Sequence, residues 1–144
     1  MRRRKNYTVV TLRQNRSMKL RFENNSIRFR IRKSELKQLK QHGFVKDEVT
    51  FPNAVLTYEL RVSDVPEINP VLAENNIVIY IPLIAAHHWI DTEEIGLYRL
   101  INLDEDEALN VIIEKDFPCK DRPEEDKTDT FTELVDKDPN GKVC

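Results

Sequence analysis

A chain of 144 residues with 40% apolar and 33% charged side chains accommodates one compact domain with flanking segments. No apolar run approaches the length of a membrane helix, and two cysteines, Cys119 and Cys144, are too few for a disulfide scaffold, so a cytoplasmic protein with reduced thiols is expected. The net charge of −2 conceals a gradient, because residues 1–33 hold twelve Lys/Arg against one acid, Glu23, whereas residues 104–144 hold fourteen acids against six bases.

Residues 1–17, MRRRKNYTVVTLRQNRS, are basic but lack the apolar centre of a secretory signal. They read either as a basic arm for nucleic acid or as an over-extended reading frame in front of a start at Met18. From Met18 the apolar period is two. Leu20 and Phe22 alternate with Lys19, Arg21 and Glu23, and Asn24-Asn25 marks a tight turn. Ile27, Phe29 and Ile31 then alternate with Arg28, Arg30 and Arg32, which completes a β-hairpin. Ser34 as N-cap and Gly43 as stop predict a helix over 35–42. Strands follow near 44–51 and 55–62, joined by a turn at Pro52-Asn53.

The pattern then restarts. Residues 68–74 lead to Asn75-Asn76, and Ile77, Ile79 and Ile81 alternate as Ile27, Phe29 and Ile31 do. Pro82 opens a helix over 83–90 that carries Trp89, and strands near 94–101 and 108–114 close the copy. The prediction is a mainly β (α+β) fold, a duplicated ββαββ unit with two short helices. The copies span about 18–63 and 67–114 and form a pseudo-two-fold swapped-hairpin or barrel-like sheet. One such unit buries too little surface to stand alone, so two share one core. The expected core is Leu20, Phe22, Ile27, Phe29, Ile31, Leu56, Tyr58, Leu60, Ile77, Ile79, Ile81, Trp89, Val111 and Ile113. Residues 118–144, rich in acids and proline, read as a mostly disordered or loosely docked tail.

Two resemblances rest on these residues. The run Asn25 to Ile31, a short helix and the strand opening Val45-Lys46-Asp47-Glu48-Val49 resemble the swapped-hairpin units of AbrB-type transition regulators and MazE-type antitoxins. The second copy, Asn76 to Pro82 followed by Trp89 and Thr92-Glu93-Glu94-Ile95, is similar. That likeness implies interleaved hairpins within one chain and nucleic-acid contact through basic residues. Residues 18–131 also resemble an uncharacterised family of short bacterial proteins. The markers are Asn24-Asn25, Trp89, Glu114-Lys115-Asp116-Phe117-Pro118-Cys119, Arg122, Glu125, Asp126, Asp129 and Phe131. Family members begin at the position of Met18 and continue Pro-Asn-Pro after Phe131, where this chain has Thr132-Glu133-Leu134. This resemblance implies no activity.

The leading candidate site is the basic stripe. Period two sets Arg28, Arg30 and Arg32 on one face, beside Lys19 and Arg21 of the neighbouring strand. Such a stripe suits phosphates or an acidic protein. It suits equally a solvated sheet face whose arginines meet acids of a neighbouring strand or the tail. In the second copy Val78 and Tyr80 stand where the first has Arg28 and Arg30, so only one half is basic. A second candidate is a divalent-metal or redox site at Cys119 with Glu125, Asp126 and Asp129, although no zinc-ligand or EF-hand spacing is present. A third is a structural protein that binds a partner through its acidic tail.

His87 and His88 point about 100° apart on a helix and cannot easily share an ion, and His42 sits at a helix end. There is no P-loop, GxSxG, HExxH or CxxC motif, and glycine occurs only at 43, 96 and 141. The expectation is therefore a non-enzymatic binding module without a cofactor, a monomer or weak homodimer, whose partner is a nucleic acid or a protein and not a membrane.

Overall fold

The computed structural model describes residues 17–118 and 128–137. Its strands are β1 (Lys19–Glu23), β2 (Ser26–Ile31), β3 (Phe44–Thr50), β4 (Val55–Ser63), β5 (Asn69–Ala73), β6 (Asn76–Pro82), β7 (Gly96–Asn102) and β8 (Ala108–Lys115). Helix α1 (Lys33–His42) lies between β2 and β3, α2 (Leu83–Asp91) between β6 and β7, and a 3-10 turn, η1 (Thr132–Lys137), comes last. Each half therefore runs strand, strand, helix, strand, strand. The residues form two four-stranded sheets, ordered β1-β2-β8-β7 and β3-β4-β6-β5. Each sheet takes the first hairpin of one half and the second hairpin of the other, which is the expected interleaving.

The halves meet at two parallel pairs, β2 with β8 and β4 with β6. Ile27 lies opposite Val111 and Phe29 opposite Ile113, as Ile77 lies opposite Tyr58 and Ile79 opposite Leu60. These registers make Ile27, Phe29 and Ile31 the counterparts of Ile77, Ile79 and Ile81. The same spacing pairs Leu39 of α1 with Trp89 of α2, and both are buried.

The core lies between the sheets, where the Phe29 and Tyr58 rings stand 6.2 Å apart, and continues beneath the helices. The Trp89 indole N–H donates to the Ile95 carbonyl at 3.0 Å, so its polar edge is satisfied. Asn24 (φ 49°) and Asn25 (φ 56°) adopt the left-handed conformation that a two-residue hairpin turn needs. The Asn25 side chain also donates to the Ala108 carbonyl at 2.7 Å, tying this tip to β8.

Three expectations change. Phe22 is 62% exposed rather than part of the core, because it sits at a hairpin tip where no opposite layer covers it; Leu20 and Leu56 are half-buried. Ser34 does not cap α1. The helix starts at Lys33, and the Arg32 N–H donates to Glu35 Oε1 at 2.8 Å. Of the tail expected to be mostly disordered or loosely docked, residues 128–135 lie against the domain, with Phe131 and Leu134 only 8% and 2% exposed, and residues 119–127 and 138–144 lie outside the described residues. No helix among the described residues is long and apolar enough to cross a membrane.

Candidate anion-binding face

Outward-pointing residues of the first sheet line up in rows across its strands. One row is Arg21, Arg28, Ile112 and Tyr98; the next is Lys19, Arg30, Glu114 and Gly96. Arg32 and Asp116 each lie one alternate position beyond Arg30 and Glu114. Two like-charged pairs, Arg21 with Arg28 and Lys19 with Arg30, therefore stand directly opposite each other in an antiparallel ladder. Like charges so placed destabilise a sheet.

The parallel neighbour β8 supplies part of the compensation. Asp116, 1% exposed, lies 3.1 Å from Lys19 Nζ, 3.9 Å from Arg30 Nη1 and 3.9 Å from Arg32 Nε. Glu114 Oε1 lies 3.4 Å from Arg28 Nε. Its Oε2 accepts from the Tyr98 hydroxyl at 3.1 Å. Burial and the Glu114 charge push the Tyr98 phenol up, which keeps it a donor. The Tyr98 side chain reaches back over Gly96, where an added Cβ would stand 2.5 Å from the Ile113 carbonyl oxygen and 2.8 Å from the Tyr98 hydroxyl. Glycine is required there for that close approach.

The stripe thus divides. Arg30 and Arg32, each 13% exposed, belong to the cluster around Asp116, and the Arg30 guanidinium also lies 4.7 Å from the centre of the Phe117 ring. Burial lowers its pKa, offset by Asp116 and Glu114, and it stays charged. Arg30 Nε and Nη2 have no hydrogen-bond partner among the described residues. Lys19 and Arg28 keep partial exposure, 41% and 28%, and Arg21 is exposed. Among the described residues, five cations and two carboxylates share this surface.

The sequence reading placed the five cations on one face but missed Tyr98, Glu114 and Asp116. The alternation of β8 through Glu114 does put 114 and 116 on one side. What no sequence signal showed is that this side adjoins Arg28 and Arg30, because that depends on a parallel pair between the halves. The other sheet carries Val78, Tyr80, Arg61 and Ser63 at the positions equivalent to Arg28, Arg30, Glu114 and Asp116, so it offers no second basic face. Between the tips of the β1–β2 and β5–β6 hairpins lies an apolar cleft of about 490 Å³, with Phe22 and the 75%-exposed Leu72 at its lips.

Of the metal or redox candidates, Cys119, Glu125 and Asp126 lie outside the described residues. Asp129 is described, and its carboxylate accepts from the Ser34 N–H at 3.0 Å and the Ser34 hydroxyl at 2.5 Å. Among the described residues no group of three or more His, Cys, Asp or Glu side chains is placed to hold a metal ion.

A family model described as a family of unknown function (DUF7009) matches residues 18–134. The chain belongs to that family. The matched span runs from the residue before β1 into η1, so it contains every residue of the face described above. No curated protein and no solved structure matches the chain significantly.

Proposed function

We propose that the domain is a non-catalytic binding module that holds a single-stranded nucleic acid across the outer face of its first sheet. The observation that carries this reading is the register that sets Arg21 opposite Arg28 and Lys19 opposite Arg30. Like charges directly opposite disfavour a sheet; Asp116 and Glu114 offset this at Lys19, Arg30 and Arg28, and phosphates lying along the rows would add to that offset. Tyr98, 56% exposed, ends the row that Arg21 and Arg28 begin. With strands about 4.8 Å apart the row spans roughly 14 Å, so a strand crossing it meets cations first and an aromatic ring last. Single strands bind sheet faces by this combination of backbone cations and base stacking on aromatic side chains.

The test is fluorescence anisotropy of a labelled mixed-sequence single strand and of its duplex, titrated with the full chain at about 50 and 200 mM salt. With about three phosphates neutralised, affinity for the single strand should fall roughly 20-fold between the two salts. The double variant Arg21→Glu, Arg28→Glu should abolish it, and Tyr98→Ala should weaken it by the value of one stacked base, about 1–3 kcal/mol. Binding that survives both substitutions would assign the affinity to the basic residues 1–17 and overturn the proposal. Binding to poly-glutamate and not to either nucleic acid would replace it with an acidic protein partner.

A further inference from the structure

Four strands end the two sheets, β1 and β7 in one and β3 and β5 in the other. An edge strand presents unpaired N–H and C=O groups, and charged side chains or proline on it keep other chains away. Three of the edges carry such guards. Strand β1 has Lys19, Arg21 and Glu23, β3 has Lys46, Asp47 and Glu48, and β5 has Pro70. Strand β7 has no proline, and its one charged residue is Arg99. That side chain turns inward, where it lies 2.7 Å from Glu67 and donates to the Ile68 carbonyl. By the equivalence of the halves, Tyr98 and Leu100 stand where β3 has Lys46 and Glu48. They are 56% and 64% exposed.

The ladder between β7 and β8 is regular from Gly96 opposite Glu114 to Asn102 opposite Ala108. Just beyond its ends the Lys115 N–H donates to the Ile95 carbonyl at 3.0 Å, and the Leu103 N–H to the Glu107 carbonyl at 2.9 Å. Hydrogen-bonded and non-bonded pairs alternate along an antiparallel ladder. Leu97, Arg99 and Ile101 therefore bond to β8, whereas Gly96, Tyr98, Leu100 and Asn102 turn their N–H and C=O groups off the sheet. Among the described residues no strand receives them.

We propose that β7 pairs antiparallel with β7 of a second copy of this chain, about a two-fold axis at Arg99, joining two four-stranded sheets into one. In that register the strand is complementary to itself. Tyr98 meets Leu100 of the second copy and Gly96 meets Asn102, each pair exchanging two hydrogen bonds through the groups that point off the edge. An aromatic ring beside an aliphatic side chain is a favourable cross-strand pair. On the inner side Leu97 meets Ile101. Arg99 meets its own copy, and the Glu67 carboxylate at each guanidinium balances the two charges. One strand pair buries little surface, so the dimer is weak. Pairing leaves the outer face of the sheet uncovered, so it is independent of nucleic-acid binding.

The experiment is sedimentation equilibrium of the full chain from about 5 to about 500 µM, a range suited to a small interface, with amide hydrogen exchange followed by NMR at both ends of it. The mean mass should rise from the 17.0 kDa of one chain towards twice that value, and exchange at the Tyr98 and Leu100 amides should slow with concentration. Leu100→Pro removes an outward N–H without touching a bond to β8, a position at which an edge strand tolerates proline. It should hold the chain at the mass of a monomer throughout. If that variant does not fold, Leu100→Lys, which gives β7 a charge as β3 has, serves in its place. A monomer at every concentration overturns the proposal, as does a dimer that survives the substitution or leaves those two amides fast. Amides already slow in the dilute monomer would give the edge to another segment of the same chain, and a mass beyond two chains would mean open-ended assembly; either result overturns it as well.

Discussion

Asp116 carries more of the electrostatic balance than any other residue of the basic face. Its carboxylate is 1% exposed and within 3.9 Å of Lys19, Arg30 and Arg32. Removing it takes the nearest carboxylate from two largely buried guanidinium groups, and Asp116→Ala should cost about 3 kcal/mol, read as a lower urea midpoint. A loss below about 1 kcal/mol would show that water already screens the cluster. Glu35 makes a second residue-scale prediction. It is 3% exposed, and its Oε2 has no hydrogen-bond partner. Burial pushes its carboxyl up to about 8, against the opposing Arg32 N–H bond, with Asp47 adding to the rise. The folded state thus holds this proton more tightly than the unfolded chain does. The associated stability is complete below the unfolded carboxyl range and is lost as pH rises towards 8. Asp47 is raised too, chiefly by burial, and adds to the same slope. Unfolding measured from pH 4.5 to 8.5 should show wild-type stability falling, and Glu35→Gln should flatten much of that fall. An unchanged slope in the variant would assign it to other groups. Legibility at this scale has a clear limit. Period two placed Arg28, Arg30 and Arg32 on one face, but the charges of Asp47 and Asp129 that help raise the Glu35 carboxyl come from positions distant in the chain.

Among the elements, the segment holding η1 departs most from its composition. Phe131, Leu134 and Val135 are its only large apolar residues, set among acids and threonines, and that balance reads as a loose tail. Two of the three are nevertheless buried or nearly so, because α1 presents an unfilled first turn and β8 an unfilled end. Leu134, 2% exposed, should cost about 2–5 kcal/mol as Leu134→Ala. Asp129→Ala, which removes the external cap of α1, should cost about 1 kcal/mol. Both are read by chemical denaturation, and near-neutral results would mean that the segment does not contribute to the folded domain. The other elements were legible where local chemistry decides them. The Asn24-Asn25 turn adopts the left-handed angles its residues favour, and Gly43 (φ 81°) ends α1 as expected. The start of α1 differs from the expectation because Glu35 accepts from the Arg32 N–H, which makes Arg32 the N-cap, while Ser34 is turned to Asp129.

For the whole molecule, the duplication was legible because Ile77, Ile79 and Ile81 restate Ile27, Phe29 and Ile31 behind the same Asn-Asn signal. That the arginines meet acids of a neighbouring strand was one reading of the stripe, and Glu114 and Asp116 fit it; which strand supplies them could not be read, since alternation fixes a face and not a neighbour. The interleaving that causes this also sets an order in time. Strand β2 finds its inner partner only when β8 exists, and Ile27 pairs with Val111. Synthesis at about 5–20 residues per second needs roughly 4–16 s to cover the ~80 residues between them. Throughout that interval on the ribosome the first hairpin has one open edge, and Arg30 and Arg32 await Asp116. The nascent chain is therefore most adhesive, and most cationic, long before the domain that will quiet it is complete.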